Sequence, residues 1–198
     1  SGIISGAGAL AKAGKGRLDL TNANTYGGGT TVKAGTLLAD NTSGSATGSG
    51  PVHVDSGALG GNGTIAGSVL IGSNTSGNGS FLTPGRSFNR PGTITIQSSL
   101  TFASDGFFNV GLTRNSVASR AIANGITIQN GAQFAFFNSR GVAVPVGTVL
   151  VLISNTSATP IAGVFDNLPD GLIFTDHGNT FRVSYEGGDG NDLTLTSI

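Results

Sequence analysis

The segment from Gly16 to Asp40 limits what this chain can fold into more than any other part of its sequence. Two stretches of alternating apolar and polar residues flank a turn rich in Asn, Thr and Gly, and the same pattern recurs along most of the 198 residues. This alternation is typical of a β-strand with one buried face. One such unit buries too little apolar area to offset the entropy lost on ordering it. It must therefore stack on similar units, which favours an extended scaffold over a pocket.

Apolar-x-apolar triplets predict many short strands along the chain. They are Leu18/Leu20, Val52/Val54, Ile94/Ile96, Ile126/Ile128, Phe181/Val183/Tyr185 and Leu193/Leu195. Clusters of Gly, Asn and Pro separate them, and Gly and Asn tolerate the positive φ of tight turns. Helical periodicity is nearly absent, and residues 115–124 are the one place where a short helical turn is expected. The sequence therefore predicts an all-β protein.

Composition supports a folded chain of one domain. Apolar residues make up 37% and charged residues 10%, whereas a disordered chain carries more charge and less apolar content. The 34 glycines show no Gly-X-Y period, which excludes collagen. We expect a single β-solenoid domain over 1–198, with repeat-containing rungs in 1–104 and aromatic-rich rungs in 105–198. The aromatic side chains after residue 100 are expected to fill wider rungs; they are Phe102, Phe107, Phe108, Phe134, Phe136, Phe137, Phe165, Phe174 and Phe181.

The charge pattern excludes two classes of partner. The formal net charge is zero, and the 10 basic and 10 acidic residues are scattered singly, so nucleic acid is not an expected partner and an anionic membrane is not either. The absence of Cys excludes disulfides and thiolate metal sites. It also suits export through an oxidising compartment in an unfolded state.

Two copies of the pattern V-x-x-G-x-L align with each other, from Val32 to Leu37 and from Val54 to Leu59. A third copy begins at Ile128 and shifts its last apolar residue to Phe134. The glycines of the first two copies, Gly35 and Gly57, are 22 residues apart, inside the periods typical of solenoids. Alternation alone favours an antiparallel sandwich. The repeat favours a right-handed parallel β-helix (β-solenoid), in which a C-terminal hairpin-like cap region is one option.

The order L-x-L-x-x-x-N-T-Y-x-G-G-T-T-V-x-A-G-T-L-L, from Leu18 to Leu38, resembles the autotransporter-associated β-strand repeat, also called the passenger-associated transport repeat. A dozen positions agree in order and spacing, and Gly27 stands where the family usually has Thr. Residues 48–72, 82–102 and 164–196 resemble the rungs that follow this repeat. The resemblance implies a bacterial passenger β-helix, extracellular or on the cell surface, with an outer-membrane translocation barrel as a partner.

The run Gly187-Gly188-Asp189-Gly190-Asn191-Asp192 fits the calcium-binding nonapeptide pattern G-G-x-G-x-D-x. Asp189 and Asp192 are its candidate ligands. Calcium sits between successive copies of this pattern and takes about 6–8 oxygen ligands, whereas this chain has one copy. The favoured interpretation is therefore a Gly/Asp turn before the last strand, and no other cofactor is expected.

Catalysis has little support in the sequence. Ser56 lies in a V-D-S-G context that resembles the surroundings of a protease serine, but a triad also needs a His and a buried acid, and His53 and His177 are poorly placed for that. A polysaccharide lyase or hydrolase needs paired carboxylates, or a carboxylate and Arg/Lys cluster, on neighbouring rungs.

Glu186 is the one Glu of the chain and the nine Asp are dispersed. Arg86 and Arg90 flank a loop that could meet an acidic sugar, although solvated loop charges are the simpler account. The chain is therefore expected not to be an enzyme.

The two ends of the chain are the expected assembly surfaces. Ile3, Ile4 and Leu10 at one end, and Leu193 and Leu195 at the other, lie in segments that look unprotected, and an uncapped solenoid end is a template for pairing. The ends either continue into a longer passenger or stack head to tail into filaments. The expected function is structural and non-catalytic. The alternatives are an adhesin for an unidentified glycan or host surface and, less favoured, a polysaccharide-degrading enzyme.

Overall fold

The computed structural model describes residues 2–74, 79–113, 116–138 and 141–198. These residues form strands and turns, with no helix among them. The strands are β1 (Leu10–Lys12), β2 (Arg17–Leu20), β3 (Thr30–Val32), β4 (Thr36–Ala39), β5 (Val52–Val54), β6 (Gly57–Gly61), β7 (Thr64–Ile65), β8 (Val69–Ile71), β9 (Ser80–Ser87), β10 (Arg90–Pro91), β11 (Thr93–Ile96), β12 (Leu100–Phe102), β13 (Gly106–Gly111), β14 (Arg120–Ala123), β15 (Ile126–Ile128), β16 (Gln133–Phe137), β17 (Val149–Asn155), β18 (Ile173–Asp176), β19 (Asn179–Gly187) and β20 (Asp192–Ser197).

Three sheets run along one axis. Sheet 1 has the order β1-β3-β5-β8-β12-β15, and sheet 2 has the order β2-β4-β6-β9-β13-β16. Sheet 3 has the order β7-β11-β14-β17-β20-β19-β18. Every pair along sheets 1 and 2 is parallel, and each coil of the chain adds one strand to each of them. The predicted parallel β-helix is confirmed, and the antiparallel sandwich is wrong.

One local expectation is corrected and another is confirmed. The described part of the stretch expected to form a helical turn contains strand β14. The predicted hairpin-like cap is present, because β17, β20, β19 and β18 pair antiparallel at the C-terminal end of sheet 3. The division of the domain at residue 104 stays a prediction, since one apolar cluster runs continuously from Leu20 to Leu195.

Register lines up the core residues of successive coils in rows. One row on sheet 2 reads Leu18, Leu37, Leu59, Leu82, Phe108 and Phe134. Its members grow from Leu to Phe towards the C-terminal end, as expected for a stack whose interior widens. Buried Phe102, Phe165 and Phe181 fill the same end. For Phe107 and Phe137, however, the prediction of a core position is wrong, because alternation along β13 and β16 turns them to the outer face of sheet 2.

The V-x-x-G-x-L pattern marks the corner between sheets 1 and 2. Gly35, Gly57 and Gly131 have φ values of 74°, 92° and 97°, in the region that favours glycine. A Cβ on Gly57 would also overlap the carbonyl oxygen of Gly35 in the coil before it. The shift to Phe134 in the third copy still places that ring in the same core row as Leu37. The corner therefore needs glycine for its turn and for the close stacking of coils.

Coil length varies along the stack. Core residues on sheet 1 are separated by 17 residues from Val54 to Ile71 and by 31 from Ile71 to Phe102. The longer coil contains a hairpin in which β9 turns back through β10, and this hairpin, residues 84–91, is called the arm below. The arm folds over the outer face of sheet 2 instead of extending the core.

A pair of glycine substitutions, one in this corner and one in the turn between β14 and β15, separates backbone strain from the close stacking of coils. Gly125→Ala places a side chain at φ 99° with nothing within 4 Å of the new Cβ, so its cost is backbone strain of about 1–2 kcal/mol. We expect Gly57→Ala to cost more, because its Cβ also meets the preceding coil. Urea unfolding of both variants measures the difference, and equal losses of unfolding free energy would contradict the stacking role.

Candidate functional site

The N-terminal end of the rod is its open end. Strands β1 and β2 each pair with a neighbour on one side among the described strands. Beside them, residues 2–8 run as an extended segment along the next coil, where the N–H of Thr25 donates to the carbonyl of Ile4 at 2.9 Å and that of Gly27 to Gly6 at 3.0 Å. The Asn24 side chain accepts the N–H of Ile4 at 2.8 Å. Asn24 of the repeat thus forms a side-chain bond that joins two layers of the stack.

Lys12 closes the core at this end. It occupies the row position held by Val32 and Val54 in the next coils, and only 6% of it is exposed. Its Nζ donates to the carbonyl oxygens of Gly14 at 2.7 Å and Ala34 at 2.9 Å. Inward-pointing charged residues and very short edge strands are known ways of protecting a sheet edge from further pairing. Strand β1 therefore has an edge that no other described strand pairs with, and the ammonium group of Lys12 protects this edge from further pairing.

The expected assembly residues fall into two groups. Ile3 and Ile4 are 64% and 39% exposed, and Leu10 is half-buried against the core, so these three lie at the open end as expected. Leu193 and Leu195 are fully buried, because β20 lies between β17 and β19 and is paired on both sides. The expectation that they form an unprotected end is wrong: the alternation of this strand reflects a two-sided antiparallel pairing.

A cap closes the C-terminal end. The loop of residues 161–170 crosses the end of the core and inserts the fully buried ring of Phe165 next to Phe102 and Phe134, at centroid distances of 5.0 and 6.2 Å. The Asn167 side chain takes the place of a partner strand for β16. Its amide nitrogen donates to the carbonyl of Phe134, and its amide oxygen accepts the N–H of the same residue, both at 2.8 Å. The cap thus takes the place of a further coil.

Tyr185 fastens this cap. Its hydroxyl donates to the carbonyl of Leu168 at 3.0 Å and accepts the N–H of Phe165 at 3.1 Å, and its own N–H donates to Asp170 at 2.9 Å. Burial raises the pKa of Tyr185 to about 12, opposed by the hydrogen bond from Phe165 and assisted by the charge of Asp170. The side chain of Tyr185 therefore holds the middle of the loop, and its backbone N–H holds the C-terminal end of the loop at Asp170.

The calcium candidates lie in the turn between β19 and β20. Asp192 is buried, its carboxylate accepts the N–H of Asn155 at 2.8 Å, and burial raises its pKa. Asp189 is exposed in the turn. No group of three or more acidic or His side chains suited to a metal ion occurs in the described parts of the chain. Asp192 has a structural task in joining β20 to β17, and the calcium prediction stays a prediction.

The residues considered for a protease triad lie in three different places: a corner, an outer strand face and a hairpin turn. Ser56 is in a corner of the stack, where its N–H donates to the carbonyl of Val32 at 3.2 Å. His53 is exposed on the outer face of sheet 1. His177 lies in the turn of the β18–β19 hairpin, 3.1 Å from Asp176. These positions on separate surfaces do not form the relay that nucleophilic catalysis needs.

Charged residues from three segments meet where the arm reaches the first coils. The Arg86 guanidinium contacts Asp40 at 3.1 Å and Asp19 at 3.3 Å, and Arg17 contacts Asp19 at 2.7 Å. These residues form a cluster of carboxylates and Arg on neighbouring rungs, which the sequence analysis did not bring together. Each carboxylate is already paired with a guanidinium, so the cluster is neutral and Arg86 is not free to meet an acidic sugar. Arg90 is exposed on the far strand of the arm.

A groove runs between the arm and the outer face of sheet 2. Its larger part is a cavity of about 210 Å³ lined by Leu38, Ala58, Gly60, Thr83, Arg86 and Phe88, among others. A smaller cavity of about 150 Å³ shares Ala58, Thr83 and Phe88 and adds Phe81 and Asn109. Sequence reasoning missed this groove, because only the register shows that the small residues Ala58 and Gly60 lie between larger neighbours. The dipeptides Pro84-Gly85 and Pro91-Gly92, at the two ends of the arm, were the sequence signal for a chain reversal there.

Comparison with known proteins identifies one part of the chain. Residues 10–39 match the family model of the passenger-associated-transport-repeat. The resemblance read from Leu18 to Leu38 is thereby confirmed, and the matched residues are β1 to β4, the first two coils of the stack. No curated protein matches the chain. The described residues contain no helix with the length and apolar character needed to cross a membrane.

The cap gives a pH-dependent expectation. The ordinary pKa of 10.0 for Tyr185 is raised to about 12, so its contribution to stability is complete below pH 10.0 and is lost as the pH rises to about 12. The loss amounts to about 3 kcal/mol over that window. In Tyr185→Phe this part of the alkaline loss is absent, although the variant is less stable at neutral pH because two buried groups lose a partner.

Urea unfolding of both proteins across that pH window measures the difference. Other groups that titrate there, including Tyr26, cancel in the comparison. Parallel pH profiles for the two proteins would contradict the role given to the Tyr185 hydroxyl.

Proposed function

Because the chain carries a passenger-associated-transport-repeat, we propose that it is a non-catalytic structural passenger, a β-solenoid rod on the surface of a bacterium or in the extracellular space. The observation that carries the proposal is the continuous core through six parallel coils, closed at one end by the antiparallel cap. Stability in such stacks is close to a sum over rungs and their interfaces, so length and rigidity come without a central active site. The rod separates what lies at its two ends.

Localisation is the direct test of this proposal. Antibodies against the chain, applied to intact cells of the bacterium that encodes it, are expected to label the cell surface or to detect the chain in the medium. Labelling that requires permeabilised cells would contradict the proposal. A cytoplasmic protein stained in the same cells is the control for intactness.

The rod is proposed to remain a monomer. The cap removes the parallel edge that a following copy would pair with, and Lys12 protects the opposite edge. The alternative is head-to-tail stacking into filaments, which Ile3, Ile4 and Leu10 at the open end would favour. Light scattering coupled to size exclusion is expected to give the monomer mass of 19.6 kDa over a wide concentration range. Long rods in negative-stain images would establish the filament instead.

A matched pair of variants tests what protects the open end. Lys12→Met keeps the length of the side chain but removes the ammonium group and its bonds to carbonyls, so we expect larger species at concentrations where the original chain is monomeric. Lys33→Met is the control, because Lys33 is exposed and follows an interior strand. Identical masses for the two variants would contradict the protective role of Lys12.

The enzyme alternative rests on the cluster of Asp19, Asp40 and Arg86 at the end of the groove. A polysaccharide lyase would need one of these carboxylates free to take a proton, whereas both are paired with guanidinium groups. We expect no new reducing ends when the chain is incubated with acidic or neutral polysaccharides. Turnover that Asp40→Asn abolishes would replace the structural proposal with an enzymatic one.

A further inference from the structure

We propose that the groove between the arm and sheet 2 binds a neutral oligosaccharide chain lying along the rod axis. The binding site goes beyond the structural role proposed above and stands on separate observations. The rod would then present a carbohydrate-binding surface along its side.

The shape of the groove favours an elongated ligand. Its floor follows one outward, partly exposed row of the stack, from Thr36 through Ala58 and Phe81 to Phe107, on four consecutive strands of sheet 2. Neighbouring strands are about 4.8 Å apart, so this row spans about 14 Å along the axis. Ala58 keeps the floor low between the side chains of Thr36 and Phe81. A compact ligand would fill only part of this length.

The arm forms a fixed wall. Arg86 ties one end to Asp19 and Asp40, and at the other end the ring of Phe88 packs against Phe137 in a tilted arrangement, with a centroid distance of 4.0 Å. The Ser119 hydroxyl donates to the carbonyl of Pro84 at 2.9 Å in the base of the arm. A wall that is held at three points is present before the ligand arrives, which lowers the ordering cost of binding.

Aromatic faces line one half of the groove. Phe81 and Phe107 lie side by side on the outer face of sheet 2, with centroids 5.2 Å apart, and both rings are partly exposed. Phe88 faces the same space from the arm. The negative face of an aromatic ring attracts the slightly positive C–H groups that cover the face of a pyranose ring. Three rings around one groove therefore offer stacking positions for successive sugars.

The polar groups of the groove are uncharged or neutralised. Thr36 and Thr83 supply hydroxyl groups, which suit the hydroxyls of a sugar, and the buried Asn109 amide donates to the Thr83 hydroxyl at 3.3 Å. The charges at the end of the groove, on Arg86 and the two aspartates, are paired with one another. Among the described residues that line the two cavities, Arg86 is the one cation and it is paired, so the chemistry of the lining favours a neutral chain.

A peptide strand is a poorer fit. The floor strands β4, β6, β9 and β13 are paired on both sides, so they have no free backbone edge to which a strand could be added. A peptide would have to bind through side chains alone, without the main-chain hydrogen bonds that give such complexes their affinity. A sugar, in contrast, can stack on the ring faces of the groove and form hydrogen bonds with its hydroxyl groups.

Isothermal titration of the full chain with defined hexasaccharides tests the proposal. The panel consists of neutral hexamers of β-1,4-glucose, α-1,4-glucose, β-1,4-mannose and β-1,4-N-acetylglucosamine, with hexagalacturonate as the acidic comparison. We expect saturable binding of at least one neutral hexamer that is tighter than binding of the acidic one. No binding of any neutral hexamer, or tighter binding of hexagalacturonate, would overturn the proposal.

Two variants place the ligand in the groove. Ala58→Leu fills the floor shared by both cavities and is expected to weaken binding at least tenfold, and Phe88→Ala removes one stacking ring and is expected to weaken it to a similar extent. Ala11→Leu makes the same substitution on the outer face of sheet 1 and is the control with unchanged affinity. Affinity that survives both groove substitutions would overturn the assignment. Mass and surface labelling test the rod itself, so the two proposals fail separately.

Discussion

The in-register stacking of parallel strands is the constraint on which the rest of this structure depends. The strands of an interior coil exchange their backbone hydrogen bonds with the coils before and after it, so such a coil depends on its neighbours to satisfy these groups. Because side chains alternate with a period of two, the shared register sends one row of each sheet inward and the next row outward along the whole rod. The Leu18-to-Phe134 row is one result, and the outward row that becomes the floor of the groove is the other.

The same constraint makes the ends of the stack its weak points, and the chain treats them differently. At the C-terminal end the parallel pattern stops and β20 returns antiparallel beside β17, while the Asn167 side chain and Phe165 complete the last coil. At the N-terminal end the parallel edge remains, but the core row ends on the ammonium group of Lys12. The asymmetry gives the rod a direction, with one end closed by structure and the other protected by charge.

Sequence alone was sufficient for the features that depend on local pattern. The positive φ of Gly35 and Gly57 follows from their place in a repeated corner, and the stacking of coils follows from the repeat itself. It was insufficient where the neighbours of a strand decide the outcome. The alternation of apolar and polar residues at Leu193 and Leu195 is the same in an edge strand and in a strand paired on both sides. The sequence therefore did not predict their burial. Phe107 and Phe137 were assigned to the core by composition, whereas register placed them outside. The groove was missed for the same reason, since the arm covers residues from other coils.

Distances between spin labels along sheet 1 test the stacking most directly. The chain has no Cys, so Ala11→Cys with Thr127→Cys gives a doubly labelled protein whose labels lie on outward positions of β1 and β15, five strands apart. The account predicts a narrow distribution centred near 24 Å from strand spacings of about 4.8 Å, although 116 residues separate the two positions in sequence. Moving the first label from Ala11 to Thr31 on β3 is predicted to shorten the distance by about 5 Å. A broad distribution, or one that does not shorten with this step, would contradict in-register stacking.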